Sequence, residues 1–474
     1  MRYVLYSCGE QPLSKHILQI ERHSFHKDVI GCVQRDIVVW FNKSYGQWFW
    51  SEKDIKNIQK DGRKLLQKKK GRASLQETHG AIAAYWDIVE VLLSAIGKGS
   101  QQLDLLYEKY VAALRKVYAY FITTTGQSTF ALESTLKSLL KSKCMDDAEK
   151  IYSLLVTPEK QDILNQELIA WKNLFIDPSE DSILEHTRRY SILLPHTYSK
   201  AEALEWARKR LQGKTKEEIT KEIECSEKRR ERLMKEQKEI LRKINSDEVE
   251  YLSSMIKESA LIRLMTKACW NGEAYHLLPF FELLANRARL PVRDIYLLYA
   301  PTEILSLLRD GTAVPDEEMR KRKQCYLLIF KDQEIRMYSG KEAIREKQKI
   351  LDPSMPSTEI KEFSGMVANT GIKRGKVLLV KTDDPSRFSD VARNCNKDTI
   401  IVTGMTNPAM MVLLRNIGGI ITDEGGMACH AAIISREFSI PCIVGCKIAT
   451  LVLRDGETVE LDATTGTVKR LDKL

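Results

Sequence analysis

The chain is 474 residues long, 43% hydrophobic and 29% charged, with a formal net charge of +10 and ten cysteines. Enough apolar residues are present to bury several cores, which excludes a wholly disordered chain and, at roughly 150 residues per domain, predicts about three domains. Cysteine is too dilute for a disulfide scaffold, the start lacks a signal-peptide pattern, and no apolar run approaches the ~18 residues of a membrane span, so a reduced, cytoplasmic protein with no membrane partner is expected.

Residues 1–50 read as a β-rich region. DIVVWF, NKSYG and QWFWS have a hairpin pattern, with Trp40, Phe41, Tyr45, Trp48, Phe49 and Trp50 around its turn. Aromatics at this density either stack bases or fill a small core, and the core reading is preferred. From 51 to 311 the periodicity becomes helical, as in HGAIAAYWDIVEVLLSAIGKG and LDLLYEKYVAALRKVYAYF, and it predicts a large all-α bundle with a possible acceptor- or partner-binding role. Ser199 followed by Glu202 is a capping-box signature for the helix after it. Arg208–Lys243 holds 14 basic and 8 acidic residues with interleaved signs, which suits a solvated helix over 216–244 and argues against a nucleic-acid-binding face.

Residues 312–340 read as a short β-hairpin (CYLLIF, then EIRMY) and 341–361, with its prolines and small polar residues, as a linker. From 362 to 474 six short β-type runs and one clear helix predict a compact β-rich domain. The fold class expected is therefore multidomain α+β.

The chemistry concentrates in IGGIITDEGGMACHAAIISREFSIPCIVG, residues 417–445. An apolar strand ends at Thr422, Gly425 and Gly426 come next, and His430 stands where an apolar helix opens. Strand, glycine turn and helix N-terminus form a geometry suited to anions, because unpaired amides and the helix dipole both face the turn. An imidazole nitrogen there is a competent nucleophile for a phosphoryl group. Zinc is a second reading of Cys429, His430, Cys442 and Cys446. On one extended strand, however, the last two would share a face ~13 Å apart, too far to share an ion. His186, His196 and His276 lie in helical segments or their connections and read as surface or packing residues.

The run from Thr422 through Gly425, Gly426, Cys429 and His430 to Arg436, Pro441 and Gly445 resembles the phosphohistidine swivelling domain of the phosphoenolpyruvate synthase and pyruvate phosphate dikinase family. Gly365, Gly371, Gly375, Val402–Pro408, Asp455–Gly456, Asp462 and Gly466–Val468 extend the match over nearly all of 362–470. The resemblance implies a C-terminal β/β/α domain with His430 as the phosphorylated residue. Gly425 and Gly426 would form the turn beneath it, Thr422 would offer a hydroxyl to ring or phosphate, and Cys429 takes the small place before the histidine. Arg436 is expected at the domain edge rather than on phosphate. The helical region before it is more loosely similar to that of rifamycin phosphotransferase.

The family pairs this domain with an ATP-grasp domain, and many members add a barrel that binds phosphoenolpyruvate. The sequence shows no alternating βαβ region or glycine-rich phosphate loop for a nucleotide, and it leaves about 44 residues after His430, too few for a barrel. The resemblance thus implies a phosphotransferase that is incomplete alone. A separate ATP-grasp nucleotide-binding protein would carry ATP and Mg²⁺, this chain would bind no cofactor or metal by itself, and the acceptor would be an unknown small molecule. The alternative is a catalytically idle binding or regulatory module that retains the mobile domain.

Overall fold

The computed structural model describes residues 3–9, 12–21, 36–42, 45–143, 147–194, 196–213, 215–331, 334–351, 360–380, 391–393, 395–406, 410–414, 416–426 and 429–471. The chain divides into two compact units. One comprises Met1–Ile20, Val33–Asn57 and Val314–Leu474, and the other Glu21–Cys32 and Ile58–Ala313.

The first unit holds two sheets. The smaller has the order β1 (Tyr3–Gly9), β3 (Tyr45–Ser51), β2 (Asp36–Asn42), β4 (Cys325–Lys331), β5 (Glu334–Ser339), antiparallel throughout. The expected hairpins of 1–50 and 312–340 are thus one sheet, joined by β2 against β4 with Val38 opposite Ile329. Apolar side chains on both faces of β2 explain the union: a strand buried on both sides needs a ladder partner on each edge and cover on each face. Val38 and Phe49 pack with Leu327, Ala343 and Leu351 on one face. His16, in the helix Leu13–Glu21, meets Phe41, Trp48 and Tyr326 on the other. Phe41, Trp48, Phe49 and Trp50 are all core residues, as the packing reading requires. The 341–361 linker is corrected in its first half, since Gly340–Ile350 is a helix laid on β4 and β5. Residues 352–359 of that linker lie outside the described residues.

The second unit is helical throughout its described residues. Lys68–Gly97 buries Leu75, Thr78, Ile82, Tyr85, Val89 and Leu92, a three-and-four spacing that aligns them on one stripe. It packs on Leu103–Phe121 and Asp247–Ala268. Among the described residues it is the one helix long and apolar enough, by length and composition, to cross a membrane. The charged helix Lys216–Ile244 begins with a full capping box: Glu218 N–H donates to Thr215 Oγ1 (3.2 Å) and Thr215 N–H to Glu218 Oε2 (2.7 Å). At Ser199 half of the expected box forms, because Glu202 accepts from Tyr198 N–H instead.

The larger sheet of the first unit has the order β6 (Glu362–Ser364), β13 (Thr467–Arg470), β12 (Thr458–Asp462), β8 (Ile372–Val380), β9 (Thr399–Thr403), β10 (Gly419–Thr422), β11 (Cys442–Val444), β7 (Met366–Asn369). Strands β8 to β11 are parallel and the rest antiparallel. Its two end strands, β6 and β7, are consecutive in the chain and meet at Gly365, so the sheet curls back on itself. A Cβ at Gly365 would lie 2.6 Å from Ile443 Cγ2 and 2.7 Å from Cys446 Sγ, which leaves room only for glycine at the bend. Residue alternation sorts the strands' side chains into two cores. Ile400, Val402, Ile421, Ile443 and Leu461 fill one, while Ile401, Ile420 and Val444 pack with Ala431, Ala432 and Ile434 of the helix His430–Glu437 in the other.

Candidate functional site

The site lies at the carboxyl ends of the parallel strands, where open α/β sheets gather loops around a crevice. Beyond β10 the ladder continues for two residues: Asp423 N–H donates to Thr403 O (3.1 Å) and Glu424 N–H to Gly404 O (2.8 Å). The chain then turns at Gly425, whose φ of +121° is a conformation that glycine adopts without strain. A Cβ there would also stand 2.8 Å from Cys429 Sγ. Gly426 O accepts from Cys429 N–H (3.0 Å), which closes the turn, and residues 427–428 lie outside the described residues.

Cys429 is the N-cap of the helix His430–Glu437, its Sγ accepting from Ala432 N–H at 3.4 Å. A thiol in this role takes the place usually held by a serine or aspartate oxygen. His430 is the first helical residue and is half-buried, with Nδ1 2.9 Å from the hydroxyl of Thr406. Thr406 is itself buried. The Thr406 hydroxyl thus helps to orient the ring, at a helix end whose dipole favours negative charge.

The far end of this short helix is pinned as firmly. Arg436 Nε donates to Ala368 O (3.1 Å) on β7, placing that cation at the domain edge. Asn369 Nδ2 donates to Ser435 O (3.2 Å) and Ile440 O (2.9 Å). These bonds fix the helix axis, and with it the direction in which the N-terminal amides point.

One expectation is corrected. Thr422 is fully buried and its hydroxyl donates to Glu424 O at 2.5 Å, within its own turn. The side chain ends β10 and closes inward, so it shapes the turn, and Thr406 on the neighbouring loop supplies the hydroxyl to the ring. Thr406 stands two residues before Pro408 and after a buried strand, but nothing local in the sequence ties it to a histidine 24 residues away.

The two downstream cysteines part company as well. The strand ends at Val444, the chain turns at Gly445 (φ +72°), and Cys442 and Cys446 enter opposite cores. Burial raises both thiols far above the ordinary cysteine range, so they stay protonated. No group of three or more His, Cys, Asp or Glu side chains among the described residues could hold a metal ion. Two histidines of the helical unit, His186 and His276, are buried inside it. His186 Nε2 meets Glu167 (3.0 Å), and His276 lies between Tyr85 (2.9 Å) and Ser191 (3.1 Å), pushed down to about 3 by burial and Arg188.

Similarity to known proteins falls on the same segment. The family model for "PEP-utilising enzyme, mobile domain" matches residues 395–466. A probable phosphoenolpyruvate synthase of Methanothermobacter thermautotrophicus is 34% identical over 171 residues, 34% of this chain and 24% of that protein. One from Archaeoglobus fulgidus is 43% identical over 106 residues, 22% and 13% of the two chains. An uncharacterized phosphotransferase of Bacillus subtilis is 32% identical over 201 residues, 40% and 23%. This last likeness covers more of the chain than the segment 362–474 contains, so it extends upstream of the curled sheet. The chain spans about a quarter or less of the length of these relatives. In its C-terminal segment, then, the chain carries the mobile domain of the PEP-utilising enzymes.

Proposed function

We propose that this chain is the phosphotransfer component of a split dikinase-like system working in the cytoplasm. His430 accepts a phosphoryl group from ATP, which a separate ATP-grasp protein binds together with Mg²⁺, and passes it to a small-molecule acceptor held by the helical unit. The observation that carries the reading is the place of His430: first residue of its helix, behind the Gly425–Gly426 turn, with Nδ1 on Thr406.

The chemistry rests on that placement. With the Nδ1 proton donated to Thr406, the Nε2 lone pair attacks phosphorus. The P–O bond to the leaving group breaks and its electron pair goes to that oxygen. In the return step an acceptor oxygen attacks phosphorus, its proton passes to solvent, and the P–N pair returns to Nε2. Phosphoryl transfer asks little covalent work of a protein beyond positioning and charge stabilisation. Amides at the helix N-terminus and the glycine turn supply an anion nest for the carried phosphate, with Thr422, Gly425, Gly426 and Cys429 as its structural support.

The test is intact-mass analysis at alkaline pH after incubation with ATP, Mg²⁺ and an ATP-grasp partner. Wild type gains one acid-labile phosphate, His430→Ala gains none, and Thr406→Val gains it roughly ten-fold more slowly as the ring loses its orientation. If wild type gains none beside a partner active on another histidine domain, phosphotransfer is refuted and the binding or regulatory module takes its place.

A further inference from the structure

The residue after Thr422 is not part of the anion nest, yet its carboxylate is among the most enclosed polar groups of the domain. Asp423 is 3% exposed. Both carboxylate oxygens accept from Thr450 N–H (3.3 and 3.1 Å), and Oδ2 also takes the Thr450 hydroxyl in a short bond. Its backbone is equally engaged: N–H to Thr403 O (3.1 Å), and C=O from Lys447 N–H (3.0 Å). On either side, Thr422 O accepts from Cys446 N–H (3.0 Å) and Glu424 N–H donates to Gly404 O (2.8 Å).

Three segments therefore meet at this residue. The first, 403–406, ends in the threonine that touches the histidine ring. The second, 422–426, ends in the glycine turn, and the third, 446–450, lies beyond β11. Backbone bonds join the segments only as far as Glu424 and Lys447, and beyond them the Asp423 carboxylate supplies the acceptors that hold Thr450. Burying a carboxylate is costly where an apolar residue would pack more cheaply. Here burial raises its pKa to about 6 even with the Thr450 and Ala449 donors opposing the shift. A group retained against such a cost is more informative than one that merely fills space.

We propose that Asp423 is a positioning residue which, by gripping Thr450, clamps the loops that hold Thr406 and the Gly425–Gly426 turn, and so fixes the orientation of the His430 ring. The kinetic consequence rests on the phosphocarrier reading above; the structural consequence does not. Cap duty alone, for the four-residue helix Ala449–Val452, would make Asp423 matter to stability and leave the ring indifferent.

The deciding measurement is long-range ¹H–¹⁵N NMR of the His430 ring in the full, ¹⁵N-histidine-labelled chain, without ATP or any partner protein. It reads the tautomer and the ring pKa. Wild type is compared with Asp423→Asn, Thr450→Val and Thr450→Ser, each checked for folding by its thermal midpoint, and the phosphate-labelling rate is measured alongside. The expected result is an Nδ1–H ring in wild type and Thr450→Ser, and a shift toward the Nε2–H form in Asp423→Asn and Thr450→Val. Labelling in those two falls roughly ten- to hundred-fold. Folded Asp423→Asn or Thr450→Val protein with an unchanged ring spectrum overturns the proposal, whether or not wild type takes phosphate. A ring that responds in a chain that takes no phosphate upholds the clamp and refutes the carrier.

Discussion

At the scale of single residues, the region around His430 includes a buried acid, Asp423, and that acid sets a measurable pH dependence. The carboxyl of Asp423 is raised from 3.8 to about 6, first by burial, with Thr450 and Ala449 opposing. A raised acid binds its proton more tightly in the folded state than in the unfolded one. Its contribution to stability is therefore fully present below about pH 4 and is lost as pH rises through about 6. Two pKa units correspond to about 3 kcal/mol across that window. Asp423→Asn should remove this dependence. Denaturant titrations at pH 4.5 and 7.5 should differ by a smaller amount in the variant than in wild type, and equal differences in both proteins would contradict it. Thr422 shows why this layer is only partly legible from sequence. Its type and position suit a bond toward the histidine as well as one within its own turn, and the folded path of residues 422–424 gives the hydroxyl to Glu424 O.

At the scale of elements, legibility tracks the range of the interaction that makes the element. The helix Leu103–Phe121 can be read from its own periodicity because its stripe of Leu103, Tyr107, Tyr110, Val111, Leu114 and Val117 is written every three or four residues. Strands β6 and β7 cannot, because each is three or four residues long and exists only through pairing with β13 and β11 at the ends of the sheet. Capping is local as well, yet the spacing alone misleads. Ser199–Glu202 and Thr215–Glu218 share one pattern, and only the second closes fully. That difference has an energetic consequence. The helix Lys216–Ile244 buries only Ile219, Gln237 and Ile244, so its first turn is held by one core side chain, Ile219, together with the cap. Thr215→Ala removes the acceptor for Glu218 N–H, while the return bond from the backbone N–H of residue 215 to the glutamate is kept. A loss of about 1 kcal/mol in the helical unit is expected by chemical denaturation. A change within a few tenths of a kcal/mol would mean the turn is held by something other than its cap.

At the scale of the whole molecule, the small sheet forces residues from opposite ends of the chain into one folding unit. Strand β2 buries Ile37, Val38, Val39 and Phe41 and has β3 on one edge and β4 on the other, with Val39 opposite Leu328. Nothing in the hairpin DIVVWF–QWFWS announces a partner nearly 290 residues downstream, so the local pattern predicts two domains where one sheet exists. Such non-local pairing is slow and cannot close until β4 has been made, whereas the helical segment between them can form its contacts earlier. The partition predicts complementation. Residues 1–57 and 314–474, expressed as separate chains, should co-purify through the β2–β4 ladder. Leu328→Pro should abolish that association, because proline removes a backbone donor from a central strand and cannot be accommodated there. Residues 360–474 lack β4 and β5 but contain both cores of the curled sheet, and they should remain folded while failing to capture 1–57. Capture by 360–474 would show that the mobile domain, rather than the β4–β5 hairpin, holds the N-terminal segment. Failure of 314–474 to capture 1–57 would show that the ladder alone does not hold it.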